Sequence, residues 1–115
     1  GATPEIAAAL DFEARQARYL ATPAPVGVLR IAERAPIVFP REAREAGFNE
    51  GWVEVDFIVD AEGRTRQATV VDSVPPGVFD TAAIDAVLRQ RFEPFEVDGR
   101  RYERRLRTRV RFSRG

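Results

Sequence analysis

The sequence lacks cysteine, histidine, methionine and lysine. Their absence removes thiol nucleophiles, imidazole bases and soft metal ligands together, which excludes most catalytic and metal-site chemistry. No apolar run approaches the roughly 18 residues of a membrane span, and no signal peptide is visible. We therefore predict no catalytic residue, no metal site and no cofactor within these 115 residues.

Carboxylate chemistry remains possible, and some of the carboxylates occur in pairs. Glu54 lies two residues before Asp56, and Glu93 lies three residues before Glu96. Neither pair has a neighbouring base, nucleophile or metal ligand that would support acid–base chemistry. We therefore interpret the pairs as solvated charges, and a carboxylate-dependent hydrolase is the alternative that they leave.

The charges are balanced in number but unevenly placed. All 18 basic residues are arginine, and residues 100–115 hold eight of them against one acid, a net charge of +7 in a chain of net charge zero. Such asymmetry indicates a basic patch that faces an acidic partner or the protein's own acidic body. Nucleic acid is not expected, because the total charge is zero and the nearby aromatic residues fit a core pattern.

The first quarter of the chain has the composition of a helix. Residues 4–21 contain no helix breaker after Pro4, and Thr3 is a suitable N-cap. One apolar stripe recurs near helical spacing, at Ile6, Leu10, Ala14 and Ala17. Phe12 and Tyr19 lie off this stripe and define a second face that could pack. Two prolines in Thr22–Pro25 then end the helix and mark a linker.

The remainder alternates strand and helix signals. They predict strands over 26–31, 52–60, 64–72 and 102–112, a short helix over 41–46, a longer helix over 79–91, and hairpin turns at 60–63 and 98–99. The strand over 52–60 alternates cleanly between apolar and mixed faces. The predicted fold class is α+β, a three-stranded antiparallel sheet with helices packed on one face, preceded by an N-terminal helix.

A set of spaced residues resembles the C-terminal domain of TonB. The set comprises Phe39-Pro40, the strand from Gly51 to Asp60, and Gln90-Arg91-Phe92-Glu93-Pro94. The resemblance covers roughly residues 36–112, which predicts an N-terminal helix and Pro linker over 1–25 and a TonB-like domain over 26–115. Gln90 stands where the family usually carries tryptophan.

The resemblance implies a non-enzymatic periplasmic domain of an inner-membrane-anchored protein. Such a domain binds the TonB box, which is an extended peptide of a TonB-dependent outer-membrane transporter. The peptide pairs with an edge strand of the domain. An inner-membrane complex of the ExbB/ExbD type would act through a part of the protein outside this sequence. The alternative is a TonB-like accessory or scaffold module, because the long Pro-rich spacer of the transducer is missing. Exposed edges also make a strand-exchanged homodimer plausible.

The candidate partner-binding residues lie on the last strand and before the short helix. They are Phe39, Pro40, Tyr102, Arg105, Arg107, Arg109 and Arg111. The four arginines occur at period two, so they share one strand face, which is either a binding surface or a solvated face that resists aggregation. Phe39-Pro40 either contacts the partner or fixes the start of the short helix. Trp52 is expected to lie beneath the N-terminal helix or to anchor a partner.

Overall fold

The computed structural model describes residues 3–114, so the outer limits of the two predicted segments, residues 1, 2 and 115, lie outside it. The helices are α1 (Pro4–Ala21), α2 (Arg41–Glu45) and α3 (Asp80–Arg89). The strands are β1 (Ala24–Pro25), β2 (Ile31–Glu33), β3 (Glu50–Val59), β4 (Thr65–Val74), β5 (Arg91–Phe92), β6 (Phe95–Val97), β7 (Arg100–Tyr102) and β8 (Arg104–Ser113). No helix among these residues is long and apolar enough to cross a membrane.

The main sheet has the strand order β1-β8-β3-β4. Its three long strands are antiparallel, with β3 in the centre, which confirms the predicted α+β class. The structure adds one short strand, because β1 pairs in parallel with Leu106 and Arg107 of β8. Two residues show no periodicity in a sequence, so this fourth strand could not be predicted from a pattern.

The core lies between the apolar face of the sheet and α3. Alternate β3 residues are fully buried on this face, as the alternation predicts: Val53, Val55, Phe57 and Val59. From α3, Ala83 and Val87 pack against them, and β8 contributes Leu106, Val110 and Phe112. One face of the sheet is therefore fixed by burial, which leaves the arginine face of β8 toward solvent.

The short β6–β7 hairpin has the predicted two-residue turn. Asp98 and Gly99 both have positive φ, at 52° and 77°, as a type I′ turn requires. The hairpin docks α1, since Tyr102 stacks on Phe12 with ring centroids 4.6 Å apart. Arg15 of α1 also donates a hydrogen bond to the Asp98 carboxylate at 3.2 Å.

Four local predictions were wrong. The predicted strand over 102–112 is divided, because Tyr102 ends β7 and pairs with Phe95 of β6, whereas β8 begins at Arg104. Residues 26–31 do not form one strand: Val26–Val28 is a 3-10 turn, and β2 begins at Ile31 and pairs with β5. The predicted apolar stripe of α1 faces solvent, with Ile6 at 52% and Leu10 at 57% exposed, and the Phe12 and Tyr19 face packs instead. Trp52 does not lie under α1, because the Arg109 guanidinium covers its ring. The division at residue 25 stays a prediction.

Candidate partner-binding edge

The sheet ends at β4 on one side. On the other side it ends at β8, except where the two residues of β1 pair with Leu106 and Arg107. β8 pairs with β3 in unbroken register from Arg104 to Ser113. The β4 edge is interrupted, since its register with β3 shifts twice and Gln67 takes a φ of 54°. Bulges twist an edge and disrupt the row of groups that a new strand would need. The β8 edge is therefore the better template for strand addition.

Only the first part of the β8 edge is covered. β1 pairs with Leu106 and Arg107, and Arg105 Nη1 donates to the carbonyl of Ala21 at 2.8 Å, which holds the linker in place. Along Thr108–Phe112 no other strand within residues 3–114 pairs with the side of β8 that faces away from β3. Backbone N–H and C=O groups on this side are available to an added strand.

Arg105 and Arg107 are engaged within the sheet. Both guanidinium groups contact the Asp56 carboxylate of β3, with Arg105 Nε donating at 3.0 Å and Arg107 Nη2 at 3.4 Å. Burial raises the pKa of Asp56, but the hydrogen bonds and charges of Arg105 and then Arg107 outweigh it, so the net pKa lies below its ordinary value. The hydrogen bonds that Arg105 donates to Asp56 also raise the pKa of Arg105. This trio is a structural element of the sheet.

The Asp56→Asn variant should be less stable than the parent by about 1.5 kcal/mol at pH 7, because two guanidinium groups lose the negatively charged carboxylate that they share. The folded-state pKa is lowered, so the contribution of Asp56 is complete above the ordinary pKa of 3.8 and is lost as pH falls below it. Urea unfolding from pH 7 to pH 2 measures the difference.

Asp72→Asn is the matched control, since Asp72 is exposed on neighbouring β4 and, among residues 3–114, its side chain accepts a hydrogen bond only from the Ser73 N–H. Its free energy of unfolding should stay within about 0.5 kcal/mol of the parent value at every pH. A penalty for Asp56→Asn that persists unchanged at pH 2 would show that charge is not the cause.

Arg109 and Arg111 lie beside the uncovered part of the edge. Arg109 Nη2 donates to Glu54 Oε2 at 3.2 Å, and its guanidinium lies 3.8 Å from the centroid of the Trp52 ring. This stacking fixes the guanidinium plane while leaving other N–H groups exposed. The Arg111 side chain is exposed and has no hydrogen bond or ion pair with any of residues 3–114. Of the four predicted arginines, three thus pair with an acid of β3, and the Arg111 side chain has no such pair within residues 3–114.

The other predicted site residues are not on this surface. Tyr102 is buried at 2% exposure between Phe12 and Tyr19, which gives its ring a packing role. Phe39 is half-buried against Phe79 in an edge-to-face contact at 5.3 Å. Pro40 precedes α2, where its ring lines a shallow groove beside α3. Their roles in binding a partner stay predictions.

Sequence reasoning missed a small depression on the helix side of the same edge. Its volume is about 130 Å³, and its apolar lining includes Ala35, Ile37, Ala86 and Val110. Its polar lining consists of Arg34, Gln90, Thr108 and Arg109. Ile37 is 54% exposed, and an aliphatic residue in a proline-rich extended segment was the available signal. The edge therefore has a charged outer side and an inner side of mixed polarity with an exposed aliphatic residue.

Known proteins share the part of the chain that builds this edge. Residues 35–113 match the family model described as Gram-negative bacterial TonB protein C-terminal. A stretch of 59 residues, 51% of the chain, is 41% identical to Protein TonB of Pseudomonas aeruginosa, and it spans 17% of that protein. The segment that the family model matches, residues 35–113, contains β3, β4, α3 and β8, whereas α1 lies outside it.

Two solved structures have the same fold. The solution NMR structure of the Pseudomonas aeruginosa TonB CTD aligns with a TM-score of 0.62 and 32% identity, over 74% of this chain and 85% of that one. The structure of the tonb2 protein from Vibrio anguillarum aligns with a TM-score of 0.54 and 29% identity, over 73% of this chain and 79% of that one. The sheet and α3 are thus a shared scaffold.

Proposed function

The chain belongs to the family of Gram-negative bacterial TonB C-terminal domains, and on that basis we propose that it binds an extended peptide of an outer-membrane transporter and transmits force to it. Family membership supports a TonB-like, non-enzymatic role. The observation that carries the proposal is the unpaired, regular edge of β8 along Thr108–Phe112. A peptide that adds a strand there gains main-chain hydrogen bonds with little demand on its side chains.

The binding free energy available from this edge suits reversible binding of a peptide. Five edge residues offer about four main-chain hydrogen bonds, each worth about 1 kcal/mol net, from which the cost of ordering the peptide is subtracted. The result is an affinity in about the micromolar to millimolar range. Such a complex forms and releases readily, as a cycle of transport requires.

The geometry also suits the transmission of force. β8 is paired with the central strand β3 over ten residues, from Arg104 to Ser113. A pull along an added strand loads these parallel rows of hydrogen bonds together, in shear, rather than one at a time. No cofactor is needed for this action.

The cellular setting follows from the same proposal. The domain would act in the periplasm, and the remaining parts of the longer protein would anchor it in the inner membrane and contact an ExbB/ExbD-type complex. The match spans 17% of the curated relative, and the proposal assigns neither anchoring nor contact with that complex to residues of this sequence. Homodimerisation by strand exchange would use the same edge and would therefore compete with the peptide.

The test is calorimetric titration of the domain with peptides from the N-termini of the same organism's outer-membrane transporters. A binding peptide should lose at least about tenfold in affinity when one central residue is replaced by proline, which removes a main-chain donor. An alanine replacement at the same position is the matched control. Equal binding by the proline and alanine peptides would exclude strand addition, and no binding by any peptide would favour an accessory or scaffold role.

A further inference from the structure

We propose that the edge selects a partner strand in which an acidic residue lies next to an apolar one, the acid beside Arg111 and the apolar side chain in the depression near Val110. The proposal rests on strand addition at β8 and goes further by naming the partner's sequence chemistry. The selected feature is an Asp or Glu side chain adjacent to an aliphatic residue.

The pleat of the sheet determines which side chains of a partner meet which surface. Arg109 and Arg111 point to the solvent face of β8, while Val110 is buried on the opposite face. An added strand alternates in the same way, and its residues lie about 5 Å from those of β8. A partner residue beside Arg111 therefore points outward, and its neighbour beside Val110 points toward the helix side.

The outward position offers unused hydrogen-bond donors. A guanidinium has five N–H donors. The Arg109 guanidinium donates one hydrogen bond to Glu54, and the Arg111 guanidinium donates none to any of residues 3–114. Glu50 and Arg111 line one groove at this end of the sheet, but the two side chains form no ion pair. Planar guanidinium groups with unused donors match a carboxylate in both charge and shape.

The engaged arginines limit where the acid can bind. Arg105 and Arg107 share Asp56, and β1 pairs with the strand at Leu106 and Arg107. A carboxylate beside that half of β8 would meet donors that already have an acceptor and a backbone that already has a partner. Arg109 also has an acceptor, Glu54, so recognition of the acid is confined to the end of β8 that contains Arg111.

The inward position is small and has an apolar part. The lining of the depression of about 130 Å³ is mixed: Ala35, Ile37, Ala86, Val87 and Val110 are apolar, and Arg34, Gln90, Thr108 and Arg109 are polar. An aliphatic side chain such as valine fits this volume and covers the exposed Ile37, a gain that scales with the apolar area removed from water.

The test is a double-mutant cycle with a synthetic peptide, Thr-Ser-Thr-Val-Glu-Thr-Ser-Thr, and its Glu→Gln form. The domain is used as the parent and as Arg111→Gln, and affinities come from amide shifts at 20 mM salt. The parent should bind the Glu peptide about fivefold more tightly than the Gln peptide, as a solvent-exposed ion pair allows. Arg111→Gln should reduce that ratio to less than about twofold, and 0.5 M salt should do the same to the parent.

Arg101→Gln is the matched control, because Arg101 is also exposed but lies on the β6–β7 hairpin. It should leave the fivefold ratio unchanged. Equal affinities of the two peptides for the parent, with shifts still confined to Thr108–Phe112, would overturn the acidic specificity while leaving strand addition standing. If neither peptide moves these amides at millimolar concentration, both the specificity and the proposed function are contradicted.

Discussion

Replacing Gly63 with alanine is expected to destabilise the domain by about 4 kcal/mol. Gly63 ends the β3–β4 turn with a φ of +87°, which strains any residue that has a Cβ. An added Cβ would also lie 2.0 Å from the carbonyl oxygen of Phe92. The backbone of β5 cannot yield easily, because Phe92 N–H donates to the Gly63 carbonyl at 2.9 Å and the Phe92 ring is in the core. The energetic cost of the backbone strain and the cost of the overpacking therefore add.

Gly47→Ala separates the two causes. Gly47 has nearly the same φ, +89°, but a Cβ built there meets nothing within 4 Å. Its penalty should be about 1 kcal/mol, which measures the conformational strain alone. Denaturant unfolding of both variants gives the comparison. Equal penalties at the two positions would contradict the close approach of β5 to the turn.

Phe79→Ala is the second substitution with a large expected effect, and it should lower the free energy of unfolding by about 4 kcal/mol. The Phe79 ring is fully buried at the start of α3, where it stacks on Phe112 at 4.7 Å and meets Phe39 edge-on. Truncating such a ring removes its burial and leaves a cavity, which costs about 3–5 kcal/mol. Phe112 ends the binding edge, so its amide should also exchange faster in the variant.

The control for this substitution is Val38→Ala, an aliphatic truncation at a residue that is 60% exposed in the segment before α2. Its effect should stay within about 0.5 kcal/mol. Thermal or chemical unfolding measures both variants. A Phe79→Ala loss of less than about 1.5 kcal/mol would mean that the aromatic cluster is not the anchor of this end of the sheet.

The fold could largely be predicted because its main signals are local. The alternation in β3, the Asp98-Gly99 turn and the bounds of α1 each follow from a few consecutive residues. The packing face of α1 could not, because several faces of that helix are partly apolar. Phe12 and Tyr19 form the interface since aromatic rings bury far more area than an alanine-rich stripe.

The candidate site could be predicted only in part, for a related reason. Period two places the four arginines on one face of β8, and the structure agrees. Which of them are engaged depends on the register between β3 and β8, which sets Asp56 opposite Arg107 and Trp52 opposite Arg111. That register joins residues about 50 positions apart, so no local pattern reveals it.

The central claim is that a partner adds a strand to β8, and amide hydrogen exchange in the peptide complex tests it most directly. Bound peptide should slow the exchange of amides within Thr108–Phe112, because groups that faced water become hydrogen-bonded. Amides of the β4 edge, Thr65–Val74, should be unchanged. Protection that appears along β4 instead, or nowhere in the sheet while the peptide is bound, would contradict the account.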